Sequence, residues 1–405
     1  MTILCINAGS SSLKFALYIA HKERLDSALL SGQFEHLEFG AGRSHNRIIT
    51  LQYNSQEGTE VRQDLEVPLN IDPFDKAITA LKQLIAVSKG ADGVHKAELQ
   101  AVAHRVVHGG SSYSKSVIVD SKIMEDLRKL NSLAPLHQPH NLAGIEAFQR
   151  SFPLTPQVAC FDTSFHVTMP LLETTFGIPS ELTQSGVRRY GFHGLSYQYI
   201  TAQLALRSEL SGGRAVLAHL GNGASLCATK RGQSVATTMG FSALDGLMMG
   251  TRCGALDPGV LLYLLGQGKS EKDIETILYK QSGLLGVSEV SADVRTLRQS
   301  NDPKAQFALE LFEYRVIKEM GALVAVLGGV DLICFTGGIG EHDSKLRSAV
   351  CKKLAWLGLI LDEDLNQSAC ANQAMSIHAH QSSVQVWVIP TDEGRVAAQE
   401  ALTLT

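Results

Sequence analysis

No run of this chain is apolar for long enough to cross a bilayer, and its most hydrophobic late segment, residues 322–330, is far too short. A surplus of one charge is missing too. Lys and Arg total 36 against 40 Asp and Glu, a formal net charge of -4, which argues against nucleic acid and anionic membranes as bulk partners. The seven cysteines are odd in number and scattered, with no C-x-x-C pair, so neither a disulfide framework nor a zinc ribbon is expected. Buried, reduced thiols in a cytoplasmic protein fit better. The N-terminus has no basic segment followed by an apolar one, so no secretory leader is expected. The nucleotide motifs G-x-x-x-x-G-K-[ST] and helix-opening G-x-G-x-x-G are absent, which excludes a P-loop enzyme and weakens a dinucleotide reading.

What is present is a globular composition, 44% hydrophobic with 36 glycines, in 405 residues. That length exceeds one ordinary core, so two domains are expected. Strands alternate with helices, which argues for α/β layers. Residues 77–87 and 123–130 have helical periodicity, 99–107 and 157–161 read as buried strands, and 40–65 as a polar excursion of two or more strands. Residues 134–140 read as a loop, with Asn141 as the cap of the next helix.

Three turns rich in small residues follow strands. At the N-terminus, Asn7-Ala8-Gly9-Ser10-Ser11-Ser12-Leu13-Lys14 reads as a hairpin. Leu13, Phe15 and Leu17 lie on one face and Lys14 on the other. Small residues let backbone N–H groups approach an anion, so this hairpin is either a phosphate cradle or an ordinary surface turn. His219-Leu220-Gly221-Asn222-Gly223 repeats the device after the strand 215–220, which suggests duplicated halves. Gly337-Gly338-Ile339-Gly340-Glu341 forms a third turn after the strand 332–336. Amphipathic stretches at 305–326 and 344–357 flank it, and a last strand at 384–389 stops at Pro390.

Charged groups accompany these turns. Arg105 ends a buried strand within His104-Arg105-Val106-Val107-His108-Gly109-Gly110, and Arg252 lies between glycines in Gly250-Thr251-Arg252-Cys253-Gly254. A guanidinium fork matches carboxylate or phosphate, although a structural ion pair is the common use of any one arginine. His193 sits between Gly191 and Gly194, where a hydrogen bond to a phosphoryl group competes with an ordinary loop role. Asp162 ends a strand, in a position that also suits a turn or cap. The pairs His137/His140 and His104/His108 lack a completing ligand set for zinc. A magnesium ion with one or two protein oxygens fits better, with Asn7 and Glu393 as the candidates.

Taken together and in order, these segments and Phe161-Asp162-Thr163 and Arg189 to Gly194 resemble the acetate kinases across essentially the whole chain. The resemblance implies an α/β fold of duplicated actin/Hsp70/sugar-kinase-like (ribonuclease H-like) domains, each with a mixed five-stranded sheet, and an ATP cleft between them. Residues 1–164, completed by a helix at about 393–405, would form the first domain. Residues 165–392 would form the second, with the nucleotide site and a homodimer interface. It implies Mg-dependent, reversible phosphoryl transfer from ATP to acetate, giving ADP and acetyl phosphate, with Mn a possible substitute for Mg.

By the same resemblance, Asn7 and Glu393 serve the metal. Lys14, Ser12, His219, Leu220, Gly221, Asn222, Gly223, Asp293, Val294, Arg295, Gly338, Ile339, Gly340, Glu341 and His342 serve the nucleotide. Arg105 holds the acetate carboxylate, Val107, Leu136 and Phe192 line its methyl pocket, and Arg252, His193 and Asp162 are catalytic. Asp162 is expected to orient an arginine or the metal's waters rather than carry a proton. The chain departs from the family at His342 (usually Asn), Gly394 (usually Glu), and Leu195 and Tyr197 (more often Thr and His). Propionate as substrate, a hydroxyl-directed kinase of the same fold and a non-catalytic actin-like assembly protein are the competing expectations.

Overall fold

The computed structural model describes residues 1–9, 11–22, 24–37, 47–55, 60–68, 71–88, 98–370 and 373–405. Ser10 of the first turn and residues 40–46 and 56–59 of the polar excursion lie outside this set. The described residues form two compact units: Met1–Ser164 with Asp392–Thr405, and Phe165–Thr391.

The first unit opens with β1 (Thr2–Ala8), β2 (Ser12–His21), β3 (Arg24–Glu35), β4 (Arg47–Ser55) and β5 (Glu60–Val67), an antiparallel run. The helix α1 (Pro73–Val87) follows. Asp72 caps it by accepting from the Phe74 N–H at 2.7 Å, and Pro73 occupies its first turn. That cap starts the helix four residues before the expected 77–87. Next come β6 (Leu99–Val106), β7 (Val117–Ile118), α2 (Ser121–Lys129), α3 (Gln138–Ser151) and β8 (Gln157–Phe161). The strand order is β5-β4-β3-β2-β1-β6-β8-β7, with β1, β6 and β8 parallel. The expected five-stranded core, β3-β2-β1-β6-β8, is present and extended to eight strands by β4 and β5 at one edge and β7 at the other.

Strand alternation divides the faces of this sheet. Leu4, Ile6, Leu13, Phe15 and Leu17 pack with Ala77, Ile78 and Leu81 of α1 and Phe148 of α3. On the other face, the Cys5 thiol donates to the Gly394 carbonyl at 2.9 Å, and the C-terminal helix Glu393–Leu404 lies over β1, β2 and β6. The alternation Leu13 buried, Lys14 exposed, Phe15 buried is as the sequence pattern predicts.

The second unit repeats the plan with β9 (Arg214–Leu220), β10 (Ala224–Lys230), β11 (Gln233–Thr237), β12 (Leu332–Thr336), β13 (Met375–Ser376) and β14 (Gln385–Val388). Its order is β11-β10-β9-β12-β14-β13. β10 runs antiparallel to β9, and β12 runs parallel to both β9 and β14. This is the same five-strand core, with β13 added. Ala215, Leu217, Cys227 and Cys334 face Tyr197, Ile200 and Leu204 of the helix Gly194–Ala205. The helix Pro303–Leu327, capped by Asp302 and ended by Gly328 at φ 69°, covers β9 and β10.

Three local expectations are corrected. Asn141 is no cap: α3 begins at Gln138, ahead of Pro139 in its first turn, and Asn141 lies inside the helix. The segment from Gly337 is a short helix, Gly337–His342, rather than a turn. The seven cysteines are free, but Cys370 is exposed and Cys253 only partly buried.

Candidate active site

In the first unit the functional candidates gather at the C-terminal ends of β1, β6 and β8. Asn7 lies directly opposite Lys14 in the β1–β2 register, so both side chains share one face. Asn7 is two residues beyond Cys5, hence on the face covered by the C-terminal helix. The Gly9 N–H donates to the Ser12 carbonyl at 2.8 Å and closes the turn.

Arg105 reaches the same face from β6. Its Nε and Nη2 donate to Asp162 at 3.0 and 2.7 Å, and its Nη1 lies 3.5 Å from Glu393 Oε2, at the start of the C-terminal helix. Asp162 is 2% exposed and Arg105 21%. Burial acts to lower the Arg105 pKa, but the two carboxylates outweigh it, so the guanidinium is held charged more firmly than usual.

The segment after β6 is pinned from three sides. Asn141 accepts from the Val107 N–H at 3.0 Å and donates to the Ala8 carbonyl at 2.8 Å, tying the ends of β6 and β1 together. Gln138 makes a two-way amide pair with the His108 backbone, and Thr163 accepts from the Gly109 N–H. Sequence reasoning gave Gln138 and Thr163 no role of their own and read Asn141 as a cap, because their partners are distant in the chain. His104 and His108 are structural. His104 pairs with Gln157, and His108 Nδ1 accepts from the Gly110 N–H. Burial pushes both imidazoles down to about 4.

Gly394 has a physical reason. A Cβ there would stand 2.9 Å from the Tyr18 hydroxyl, which donates to Asp392 Oδ1 at 2.6 Å. The phenol occupies the space a side chain would need, and it anchors the helix start that carries Glu393.

In the second unit, His193, His219, Asn222, Gly223 and Arg252 come together. An ideal Cβ on Gly223 would lie 3.4 Å from His193 Nε2 and 3.8 Å from Arg252 Nη1, so both side chains flank the turn between β9 and β10. The imidazoles of His193 and His219 stack with centroids 4.3 Å apart. Each has its Nδ1 bonded to a serine at 2.8 Å: His193 to Ser225, His219 to Ser196. The Arg252 segment is held by the Gly250 N–H donating to the Asn222 carbonyl and by Arg252 Nη1 donating to the Ala243 carbonyl. Ser225 and Ser196 carried no sequence signal.

Gly337 leaves β12 at φ 75°, and a Cβ there would press within 2.7 Å of the Leu220 carbonyl at the end of β9. Only glycine suits both demands. Glu341 turns inward and accepts from the Gly337 and Thr391 N–H groups at 2.8 and 3.1 Å. His342 donates from Nδ1 to the Gly338 carbonyl, one helical turn back. Asp293 and Arg295 form an ion pair at 2.6 Å, which holds the Asp293 carboxyl below its usual range, and Val294 between them is buried. Of the methyl-pocket candidates, Val107 (buried) and Leu136 (half-buried) belong to the first unit and Phe192 (buried) to the second.

Two duplicated α/β units with charged groups at the strand ends have the architecture shared by actin, Hsp70 and the sugar kinases. Comparison with known proteins narrows this. The Acetokinase family pattern matches residues 2–399. The chain is 49% identical over 405 residues to the acetate kinase of Rhodopseudomonas palustris, covering 99% of this chain and 98% of that protein. It is 40% identical over 402 residues to that of Rickettsia akari, again over 99% and 98%. Among solved structures, a propionate kinase from Francisella tularensis aligns with TM-score 0.87 at 35% identity over 100% of both chains. The acetate kinase of Porphyromonas gingivalis aligns with TM-score 0.84 at 34% identity, over 100% and 99%. The chain belongs to the acetokinase family, phosphotransferases whose acceptor is a carboxyl group.

Proposed function

We propose that this protein transfers the γ-phosphoryl group of ATP to acetate, reversibly, giving acetyl phosphate and ADP. The observation that carries the reading is the Arg105 guanidinium, fixed along one edge by buried Asp162 and two positions before Val107, in a chain related over its whole length to acetate kinases.

Acetate is ionised at neutral pH, since carboxyl groups titrate near ~4, so no base is needed. The obstacle is charge. One pair of unit charges about 4 Å apart repels by about 4 kcal/mol at an effective dielectric of 20, and the γ-phosphate carries more than one. Arg105 binds the carboxylate through the guanidinium edge that Asp162 leaves over. Arg252 and His193, flanking Gly223, stabilise charge on the phosphoryl group in flight, and Lys14 and Ser12 add a cradle. The His219–Gly223 turn, residues 293–295 and the helix Gly337–His342 hold the nucleotide.

Magnesium suits the donor set in the first unit. Among the described residues no three His, Cys, Asp or Glu side chains gather as a closed metal site. The ion needs only one or two protein oxygens, and Asn7 and Glu393 offer hard oxygens on one face of the sheet. When bound, it would neutralise phosphate oxygens; manganese accepts the same donors. A second copy of the chain is the proposed cover for the helix Pro258–Gly266, which buries none of its residues and exposes Leu262, Tyr263 and Leu265. Seven free cysteines support a reducing, cytoplasmic setting. Among the described residues no helix is long and apolar enough to cross a membrane.

Trapping acyl phosphates with hydroxylamine tests the reading directly. With ATP and magnesium, acetate should give the most hydroxamate, propionate less and butyrate least, because branched Val107 crowds longer chains. Faster turnover of propionate would move the assignment to that acid. ATP consumption with glycerol and none with the acids would replace it by a hydroxyl kinase. ATP-driven polymers without acyl phosphate would replace it by an assembly protein.

A further inference from the structure

Two short helices carry residues assigned above to the nucleotide: Val294–Gln299 and Gly337–His342, six residues each. Helices shorter than about 12 residues are marginal on their own, so the placement of these two depends on their neighbours. Arg298, in the last turn of the first, reaches Asp343, 45 positions on, at the end of the second. Its Nε and Nη2 donate to Asp343 Oδ2 at 3.1 and 2.9 Å. Nη2 also donates to Glu313 Oε1 at 2.7 Å. Glu313 lies within the 25-residue helix Pro303–Leu327, a long base for the other two. The side chains of Arg298, Glu313 and Asp343 are 21, 18 and 10% exposed, so salt and solvent screen them little.

Asp343 is a junction. Its N–H donates to the Ile339 carbonyl at 2.9 Å and closes the helix Gly337–His342. Its Oδ1 accepts from the Leu346 N–H at 3.1 Å and starts the helix Ser344–Lys353. One carboxylate thus divides its oxygens between a helix cap and Arg298. A guanidinium only donates and an ionised carboxylate only accepts, so the direction of each bond is fixed.

We infer that Arg298 and Asp343 are positioning residues: their ion pair, braced on Glu313, sets the spacing between residues 293–295 and 338–342, and with it the affinity for the nucleotide. The inference rests on the proposed reading of both segments as nucleotide-binding. The geometry separates this task from holding the fold. The helix Gly337–His342 has a second support in buried Arg347, whose Nη1 donates to the Gly340 and Glu341 carbonyls at 2.9 Å each. Val294 and Leu297 are buried and keep the other helix seated. Loss of the pair therefore leaves both helices formed and frees one to shift against the other.

Calorimetric titration with ADP of Arg298→Met, Asp343→Asn and the double variant tests this. Methionine keeps the apolar stem. Asparagine still offers an oxygen to the Leu346 N–H and leaves Arg298 paired with Glu313. Each single variant should raise the Kd for ADP by about 10-fold, the range of a hydrogen bond to a charged group. The double variant should bind no more weakly than the singles, because the same interaction is lost in all three. The KM for ATP should rise in parallel, with kcat within about threefold of wild type and acetate KM within about twofold. Without nucleotide, amide exchange at residues 339–343 should quicken in Arg298→Met, across the ion pair from the altered residue. A merely structural pair would lower Tm and leave the Kd unchanged. That result, or losses that multiply in the double variant, would overturn the inference. Should Asp343→Asn not fold, Arg298→Met decides together with Arg298→Lys, which keeps a charge within reach of both carboxylates and should bind ADP within about threefold of wild type. A wild type that binds no ADP would overturn the nucleotide reading itself, whereas equal binding by wild type and variants overturns the role of the pair alone.

Discussion

Asp162→Asn tests the arrangement around Arg105 most sharply. The carboxylate accepts from Nε and Nη2 of a guanidinium that is four-fifths buried. Asparagine keeps the shape but sets an NH2 group against N–H donors and removes the charge. Breaking a buried ion pair from one side costs about 3–5 kcal/mol. Glu393, 3.5 Å from Nη1, and the remaining solvent contact of Arg105 soften that, so about 2–3 kcal/mol is expected here. For a unit of this size each kcal/mol moves Tm by about 2–4 °C, a drop of roughly 5–10 °C.

Both tryptophans, Trp356 and Trp387, lie in the second unit, so their fluorescence follows the wrong part of the chain. Far-UV circular dichroism with amide exchange in β6 and β8 reports the first unit. Acetate KM should rise by about 10-fold or more, because a reoriented fork no longer meets the carboxylate in two places. Arg105→Leu should destabilise similarly, whereas the double leucine variant at 105 and 162 should return to within about 1 kcal/mol of wild type, folded and inactive. An Asp162→Asn protein within about 0.5 kcal/mol of wild type and with an unaltered acetate KM would refute the argument.

Arg252→Ala should lower kcat by on the order of 10²-fold; a rate within about threefold of wild type would reject a role in the transition state. Val107→Ala should raise the propionate-to-acetate ratio of kcat/KM by about 10-fold, within the 1–3 kcal/mol that one methylene commands. Gly337→Ala should destabilise the second unit by about 1–3 kcal/mol, read from tryptophan fluorescence in urea, because the side chain meets both a left-handed backbone and the Leu220 carbonyl. Burial holds His104 and His108 at about 4, while the unfolded chain binds these protons near ~6.5. Their contribution is therefore complete above about pH 6.5 and is lost as the pH falls toward 4, on the order of 4 kcal/mol for the pair at pH 5. His104→Gln should halve that dependence in urea titrations at pH 7, 6 and 5, and an unchanged slope would count against it.

What the sequence made legible was local. The alternation around Lys14 follows from period-two burial, and the β9–β10 hairpin from its glycines. What stayed hidden depended on partners far along the chain. Asn141 reads as a cap because asparagine favours that position, yet Pro139 starts the helix earlier and frees the amide to bridge Ala8 and Val107. Asp162 reads as a turn residue because Arg105 lies 57 positions away. Gly-Gly-Ile-Gly-Glu reads as a turn by composition. It is helical because Glu341 reaches back to cap the Gly337 N–H that the helix start would leave unpaired. Tyr197 reads only as a departure from the family; the contact of its buried hydroxyl with Ser225, 28 positions on, shows only in the folded chain.

The duplication explains why the candidates lie where they do. In each unit the first strand of the core ends at a small-residue turn: β1 at Asn7 and Gly9, β9 at His219 and Gly223. In each, the parallel strand beside it ends in the segment that needed most support: β6 in Arg105 to Gly110, β12 in Gly337 to Glu341. The third parallel strand ends at Asp162 in one unit and leads to Thr391 in the other. Open α/β sheets gather ligands at the carboxyl ends of parallel strands, where backbone and side chains are held by the sheet but not consumed by its ladder. On the proposed reading the two copies divide the labour. The first surrounds an arginine with carboxylates, which suits a small acid and a hard cation. The second surrounds its turn with imidazoles, glycines and an arginine, which suits phosphate. A reaction between two anions needs both chemistries, and duplication followed by divergence at equivalent strand ends is a direct way to obtain them from one fold.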